Sequence, residues 1–431
     1  MKTLLLSAVF VLEICSHLIG GGGAGGSAVK FLPGFDGPLP FNLRTGYIGV
    51  GDSESVQLFY YFIQSQSGHP ESDPLFLWIN GGPGCSTLSG IIFEIGPITF
   101  APLKYNGSLP TLISRPYSWT KVANIIFLDL PVGTGFSYAT NQAAHRSNST
   151  QACHHAYDFL RKGYILGNPL TFPEEADYKF PYAHGMGLIS DELFESLKKN
   201  CEGVSYLNIN PENVKCYADF QTFKKLTSIV NEDQILEAKC NETFGGHLRR
   251  SKEGFEFSAQ RKLLMEKSNQ NINLHGTSIL GPECFRAEWY DLSYLWANEE
   301  MVRDALHVRK ESMGEWRRCN SDLDYVFARD DVTPYHANLS AKGYRSLIYS
   351  GDHDFTIPFL STQAWIRSLN YSIVDEWRPW MGEDQQVAGY TRSYTNKMTF
   401  ATVKGGGHTA PEYKPKECLA MLTRWLSYQP L

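Results

Sequence analysis

Four short apolar runs, each cut off abruptly by glycines or a polar loop, constrain this chain more than any other feature. Leu75-Phe-Leu-Trp-Ile79 stops at Asn80-Gly-Gly-Pro-Gly84, and Asn124-Ile-Ile-Phe-Leu-Asp129 stops at Pro131 and Gly133. Arg345-Ser-Leu-Ile-Tyr-Ser350 runs into Gly351-Asp-His-Asp354, and Met398-Thr-Phe-Ala-Thr-Val403 into Lys404-Gly-Gly-Gly-His408. Runs this short, bounded by turn residues, are read as strands, and Val56–Gln64, aromatic and β-branched, adds another. Strands apolar on both faces are buried on both faces, which predicts a parallel or mixed central sheet flanked by helices, an α/β class.

With 431 residues, 42% hydrophobic and 19% charged, the chain is long enough for one large α/β domain spanning residues 29–431, with an insertion. The insertion is placed at about 192–318, where charge rises, cysteines gather and helical stretches such as Phe255–Lys267 occur. A net charge of −6 without basic blocks leaves no electrostatic footprint for nucleic acid or an anionic membrane. Met1-Lys2-Thr3, the apolar stretch Leu4–Leu12 and a run of small residues read as a signal peptide over residues 1–28, because the apolar stretch is too short to span a bilayer. The expected address is therefore the secretory pathway, with a secreted or vacuolar end point. Sequons at Asn106, Asn148, Asn241, Asn338 and Asn370 agree with lumenal glycosylation. With Cys15 in the leader, the even set Cys85, Cys153, Cys201, Cys216, Cys240, Cys284, Cys319 and Cys418 favours disulfides, and no Cys-x-x-Cys spacing calls for a metal. Spacing alone leaves the pairing open.

Loops at strand ends are where open α/β sheets place their chemistry. An acid on one such loop and a histidine on the next, in that chain order, supply two members of a nucleophile–histidine–acid triad. His408 would be the general base, and Asp352 or Asp354 would hold its tautomer; residues two apart face the same way in an extended chain, so the pattern does not choose. Gly405, Gly406 and Gly407 suit a loop that brings a histidine close to another backbone, whereas a plain surface loop would leave His408 without a role. The Gly81–Gly84 cluster is either a tight turn or a source of bare N–H groups for an oxyanion.

Trp78-Ile-Asn-Gly-Gly-Pro-Gly-Cys-Ser86, Asp129-Leu-Pro-Val-Gly-Thr-Gly-Phe-Ser-Tyr138, Tyr349-Ser-Gly-Asp-His-Asp354 and Gly405-Gly-Gly-His-Thr-Ala-Pro411 closely resemble the motifs of serine carboxypeptidases. The resemblance covers nearly all of the mature chain and implies an α/β-hydrolase fold, a central mixed sheet flanked by helices with a helical insertion. It makes Asp354 and His408 the catalytic pair, Gly82 an oxyanion donor, and Asn80, Gly81 and Glu94 the group that binds a substrate carboxylate. It also implies the disulfides Cys85–Cys319, Cys201–Cys216 and Cys240–Cys284, leaving Cys153 and Cys418 unpaired. No cofactor is implied. The partners implied are a peptide C-terminus, or a glucose ester with an acyl acceptor, because Asp375-Glu-Trp-Arg-Pro-Trp380 and Gln386-Val-Ala-Gly-Tyr390 look like the plant branch that includes acyltransferases. Oligomeric state is left open.

The chain departs from that pattern at one place. A nucleophile elbow needs Gly-x-Ser-x-Gly, and no serine here has it. In the family the motif falls between a helix resembling Ala156–Lys162 and a strand resembling Gly163–Pro169, which are adjacent here, so the nucleophile strand and its helix are read as deleted, as in a shortened splice form. Ser137 in Gly135-Phe-Ser-Tyr-Ala139 lacks the second glycine and is expected to line the substrate pocket. Without a nucleophile the covalent route is closed. Removing a central strand would also strand buried N–H and C=O groups at about 1–3 kcal/mol each, so the sheet is expected to close its gap or lose its integrity.

Overall fold

A computed structural model of the chain describes residues 26–50, 54–103, 105–149, 152, 163–240, 285–310, 312, 314–326 and 331–431. The expected leader up to residue 25, the Ala156–Lys162 side of the join, Phe255–Lys267, Cys153, Asn241 and Cys284 lie outside these residues.

The strands form two principal sheets. The first holds β1 (Ser27–Val29), β2 (Leu43–Val50), β3 (Val56–Ile63), β4 (Leu75–Trp78), β5 (Asn124–Leu128) and β6 (Tyr138–Ala139), in the order β1-β2-β3-β5-β4, with β6 pairing β3. Its β4–β5 pair is parallel and the others are antiparallel. The second holds β7 (Gly163–Gly167), β8 (Arg345–Gly351), β9 (Ile373–Met381), β10 (Val387–Tyr394) and β11 (Met398–Val403), in the order β7-β8-β11-β10-β9. Here β7, β8 and β11 run parallel, and β10 and β9 extend the sheet antiparallel.

Every residue of β3 is buried, and the period of two explains how. Phe59, Tyr61 and Ile63 face the main core, while Leu58, Tyr60 and Phe62 face a second cluster behind the sheet. The main core is shared by both sheets, joining Ile125 and Phe127 to Leu347, Tyr349 and Val403.

Helices cover the sheets. α1 (Lys179–Gly185), α2 (Asp191–Asn200) and α3 (Val214–Thr227) pack around Tyr182, Leu197, Phe223 and Phe355. The Ser190 hydroxyl caps α2, with Asp191 and Glu192 in its first turn and Lys198 and Lys199 in its last, the arrangement that suits the helix dipole. α4 (Phe285–Ala297) and α5 (Glu300–Ala305) return the chain to the main core through Trp296 and Val302. α6 (Thr333–Ala341) and α7 (Phe359–Ser368) sit by the second sheet, and α8 (Ala410–Tyr413) and α9 (Pro415–Leu426) follow β11. No described helix is long and apolar enough to cross a membrane.

One expectation needs correcting. The run at β4 reads as a buried strand, but Leu75 and Ile79 are each 39% exposed. Among the described residues β4 pairs only with β5, and β7 pairs only with β8. Phe76, Trp78 and Ile165 still pack against the shared core, so both edge strands border the same interior. Among the described residues no strand joins β4 to the strand that begins at Gly163, and the two sheets stand as separate ladders. An apolar run is covered on both faces only where its neighbours extend the sheet, and β4 is flanked on one side alone.

Candidate active site

The loop after β4 is built around its glycines. Gly84 has φ +99°, and a Cβ there would lie 2.2 Å from the Asn320 carbonyl oxygen, so only glycine fits. The close approach permits two main-chain bonds, Ser86 N–H to the Arg318 carbonyl (2.8 Å) and Asn320 N–H to the Gly84 carbonyl (2.9 Å). The Cys85–Cys319 disulfide clips the same two segments. Gly81 and Gly82 are exposed, and their N–H groups meet no acceptor among the described residues.

Trp78 Nε1 donates to Asn80 Oδ1 (2.8 Å), and Asn80 Nδ2 donates to Glu94 Oε1 (2.6 Å). Glu94 ends the helical turn Gly90–Glu94, whose Ile92, Phe93 and Glu94 carbonyls all accept from the Arg115 guanidinium. Burial pushes the Glu94 carboxyl up to about 7, against the Asn80 hydrogen bond that favours its charged form. Burial thus favours the protonated, hydrogen-donating form of this group.

Asp129 joins the first two motifs. Its carboxylate accepts from the Ser86 hydroxyl, the Thr87 N–H and hydroxyl, and the Phe136 N–H, and burial pushes it up to about 6. Ser137 is fully buried, so the expected pocket-lining role is corrected. Its hydroxyl donates to the Asp129 carbonyl (2.7 Å) and accepts the Phe59 N–H (2.7 Å), tying β3 to the loop after β5.

The acid and the histidine meet. His408 Nδ1 lies 2.9 Å from Asp354 Oδ2, with Asp354 completely buried and the His408 side chain 34% exposed. Asp354 also accepts from Asn168 Nδ2 (2.7 Å) and from the N–H groups of Thr356 (2.8 Å) and Ile357 (3.1 Å). Asp352 instead pairs with His353 Nδ1 (2.6 Å) and accepts the Gly405 N–H (2.7 Å). The structure thus makes the choice that strand periodicity leaves open: Asp354 faces His408, and Asp352 braces the loop. Burial of the imidazole pushes its pKa down, but the Asp354 charge, with smaller help from Asp233 and Glu94, outweighs this and holds it at about 9.

Asn168 escaped sequence reasoning because it is 186 residues from its partner. Its positive φ of 45° just after β7 is visible only in the backbone. Arg286, Glu237, Tyr290 and Glu412 were missed for the same reason: Arg286 bridges Glu237 (2.9 Å) and the buried Glu412 (2.7 Å), which also accepts from Tyr290. Cys201 and Cys216 form a second disulfide, Cys418 is free and buried, and Cys240 is disulfide-bonded. Asn106, Asn148, Asn338 and Asn370 are exposed.

A mixed sheet with an acid on the loop after β8, a histidine on the loop after the adjacent β11, and helices on both faces defines an α/β-hydrolase fold. The structure resembles that of Kex1Δp, a prohormone-processing carboxypeptidase from Saccharomyces cerevisiae, with a TM-score of 0.60 over 90% of this chain and 92% of that one, at 17% identity. This chain belongs to the serine carboxypeptidase family, whose sequence pattern matches residues 33–162 and 161–428. It is 44% identical to serine carboxypeptidase-like 11 of Arabidopsis thaliana over 480 aligned positions, with both chains fully covered. Serine carboxypeptidase-like 10 of the same plant is 46% identical over 94% of each chain. An alignment of 480 positions exceeds this chain of 431 residues, so several dozen positions of that relative face no residue here. The family pattern itself breaks and restarts at residues 161–162.

Proposed function

We propose that this chain retains the recognition and acid–base parts of a serine carboxypeptidase site without its covalent nucleophile, and acts by binding a ligand that carries a carboxylate, such as a peptide C-terminus. The observation that carries this reading is the intact Asp354–His408 pair beside an intact Trp78–Asn80–Glu94 chain, in a sequence with no Gly-x-Ser-x-Gly. Glu94, whose protonated form is favoured by burial, would donate its O–H to the ligand carboxylate. The free N–H groups of Gly81 and Gly82 would take the ligand's remaining oxygens. His408 is a cation at neutral pH, so it adds electrostatic attraction for an anion and is not a ready base. Oxyanion donors and binding alone leave roughly a thousandfold catalysis over water, so slow hydrolysis is the most this site would support.

A shortened product of a longer gene accounts for the surplus aligned positions of the relatives, the break in the family pattern and the two separate ladders. Passage through the secretory pathway, ending outside the cell or in the vacuole, is supported by the leader-like start and four exposed sequons. A second ligand class, a glucose ester, is favoured by the resemblance of Asp375–Trp380 and Gln386–Tyr390 to the acyltransferase branch. Thermal melts with a blocked dipeptide acid, the same dipeptide amidated at its C-terminus, and a glucose ester separate these readings. A higher Tm with the free acid alone is expected. No shift with any of the three, on a folded protein, contradicts the binding function, and a shift with the ester alone favours the second ligand class.

A further inference from the structure

The Asn231–Glu237 segment of the insertion runs between the loops that carry Asp354 and His408. Toward the acid loop, the Phe355 and Thr356 N–H groups both donate to the Glu232 carbonyl (2.8 and 3.0 Å), and the Ile235 N–H donates to the His353 carbonyl (3.1 Å). The Thr356 hydroxyl donates to Asp233 Oδ1 (2.8 Å). Toward the histidine loop, the His408 N–H donates to the Asp233 carbonyl (2.7 Å), and Gln234 Nε2 donates to the Gly405 carbonyl (3.0 Å). Gln234 is only 3% exposed, and Gly407 packs so closely that a Cβ there would lie 2.2 Å from the Asp233 carbonyl oxygen.

Both ends of the segment are anchored. Lys179 pairs with Glu232 (2.6 Å), and Arg286 ties Glu237 to Glu412, four residues after His408. The sheet cannot do this work alone. The β8–β11 ladder ends at the Gly351–Val403 pair, before either functional side chain, so their separation depends on contacts beyond the strands. Direct loop-to-loop bonds exist, such as His353 N–H to the Gly406 carbonyl (2.9 Å), but the main chain of His408 itself is bonded to the insertion.

We propose that Asp233 and Gln234 are positioning residues for the Asp354–His408 pair, the insertion serving as a strap that holds the imidazole opposite the carboxylate. This rests on reading that pair as the acid–base couple of the site. The charged groups that bear on His408 are Asp354, Asp233 and Glu94, so Asp233 acts through its charge as well as its carbonyl.

The test is imidazole NMR on the full chain, comparing wild type with Gln234→Ala, Asp233→Asn and the control Lys239→Ala, whose ammonium bonds only the Ser228 carbonyl among the described residues. Wild type is expected to titrate His408 near 9, with a hydrogen-bonded Nδ1 proton protected from exchange. Both strap variants lower that midpoint by about half a unit or more, as loss of a nearby charge or of alignment requires. Gln234→Ala also speeds exchange of the Nδ1 proton severalfold, while Lys239→Ala leaves both readings at wild type. Wild-type midpoint and exchange in both folded strap variants overturn the proposal. If Gln234→Ala does not fold, Gln234→Met, which keeps the side chain's length and removes its donor to Gly405, takes its place: wild-type exchange of the Nδ1 proton in that variant overturns the proposal. A wild-type His408 titrating near 6.5 overturns the pairing itself. Failure to bind any ligand sinks the proposed function and leaves this inference standing.

Discussion

Two carboxyl groups of the site show how environment assigns different tasks to one chemistry. Asp354 has no exposure but receives four donors, from Asn168, Thr356, Ile357 and His408. Glu94 is also buried but, among the described residues, receives a side-chain donor from Asn80 alone, so burial dominates and pushes its pKa up to about 7. Ser137 shows the same principle for a hydroxyl: donor and acceptor capacities are both spent inside the fold, which leaves nothing for attack on a substrate. Replacing Ser137 by Ala orphans the buried Phe59 N–H and removes a link to Asp129. Urea unfolding is expected to show a loss of about 1–3 kcal/mol, with the His408 titration unchanged. Wild-type stability would contradict the structural role, and an altered His408 would contradict its separation from the site.

At the scale of elements, β4 carries the sequence of an interior strand in the position of an edge. Flat, apolar, unpaired edges invite pairing with other chains. Leu75→Lys places a charge on a residue already 39% exposed, so it is expected to reduce light scattering on heating while changing stability by no more than about 0.5 kcal/mol. A large loss of stability would mean that Leu75 is buried in solution. β4 also marks how far the sequence could be read. Its existence, its ends and the loop after it were legible, because apolar runs and glycines are local signals. Its exposure was not, because an apolar run looks the same at a centre or an edge. The acid and histidine were legible as loop residues after strands, yet Asp352 and Asp354 could be separated only by where each side chain points. Asn168, Asp233, Gln234 and Arg286 carried no signal at all: each acts on a partner brought near by folding, with no motif to announce it.

For the whole molecule, protonation links these sites to stability. Burial raises Asp129 to about 6, Glu94 to about 7 and Glu175 to about 8, and His408 stands at about 9 because the Asp354 charge exceeds the effect of burial. Each folded value lies above its unfolded one, so each contribution is complete below the unfolded pKa and is lost as pH rises through the folded pKa. His336, lowered to about 4 by burial, runs the other way: its contribution is present above 6.5 and is lost as pH falls toward 4. Between pH 6.5 and pH 9 these groups contribute only losses, so Tm is expected to fall across that window, and a rise there would contradict the assignments. In the proposed function Asp354 and His408 stand without a serine nucleophile. Intact-mass spectrometry after incubation with a serine-directed fluorophosphonate, with an active serine hydrolase in the same tube, tests it most directly. A labelled hydrolase and no mass increase on this chain are expected; a stoichiometric adduct on any of its serines would contradict the proposed function.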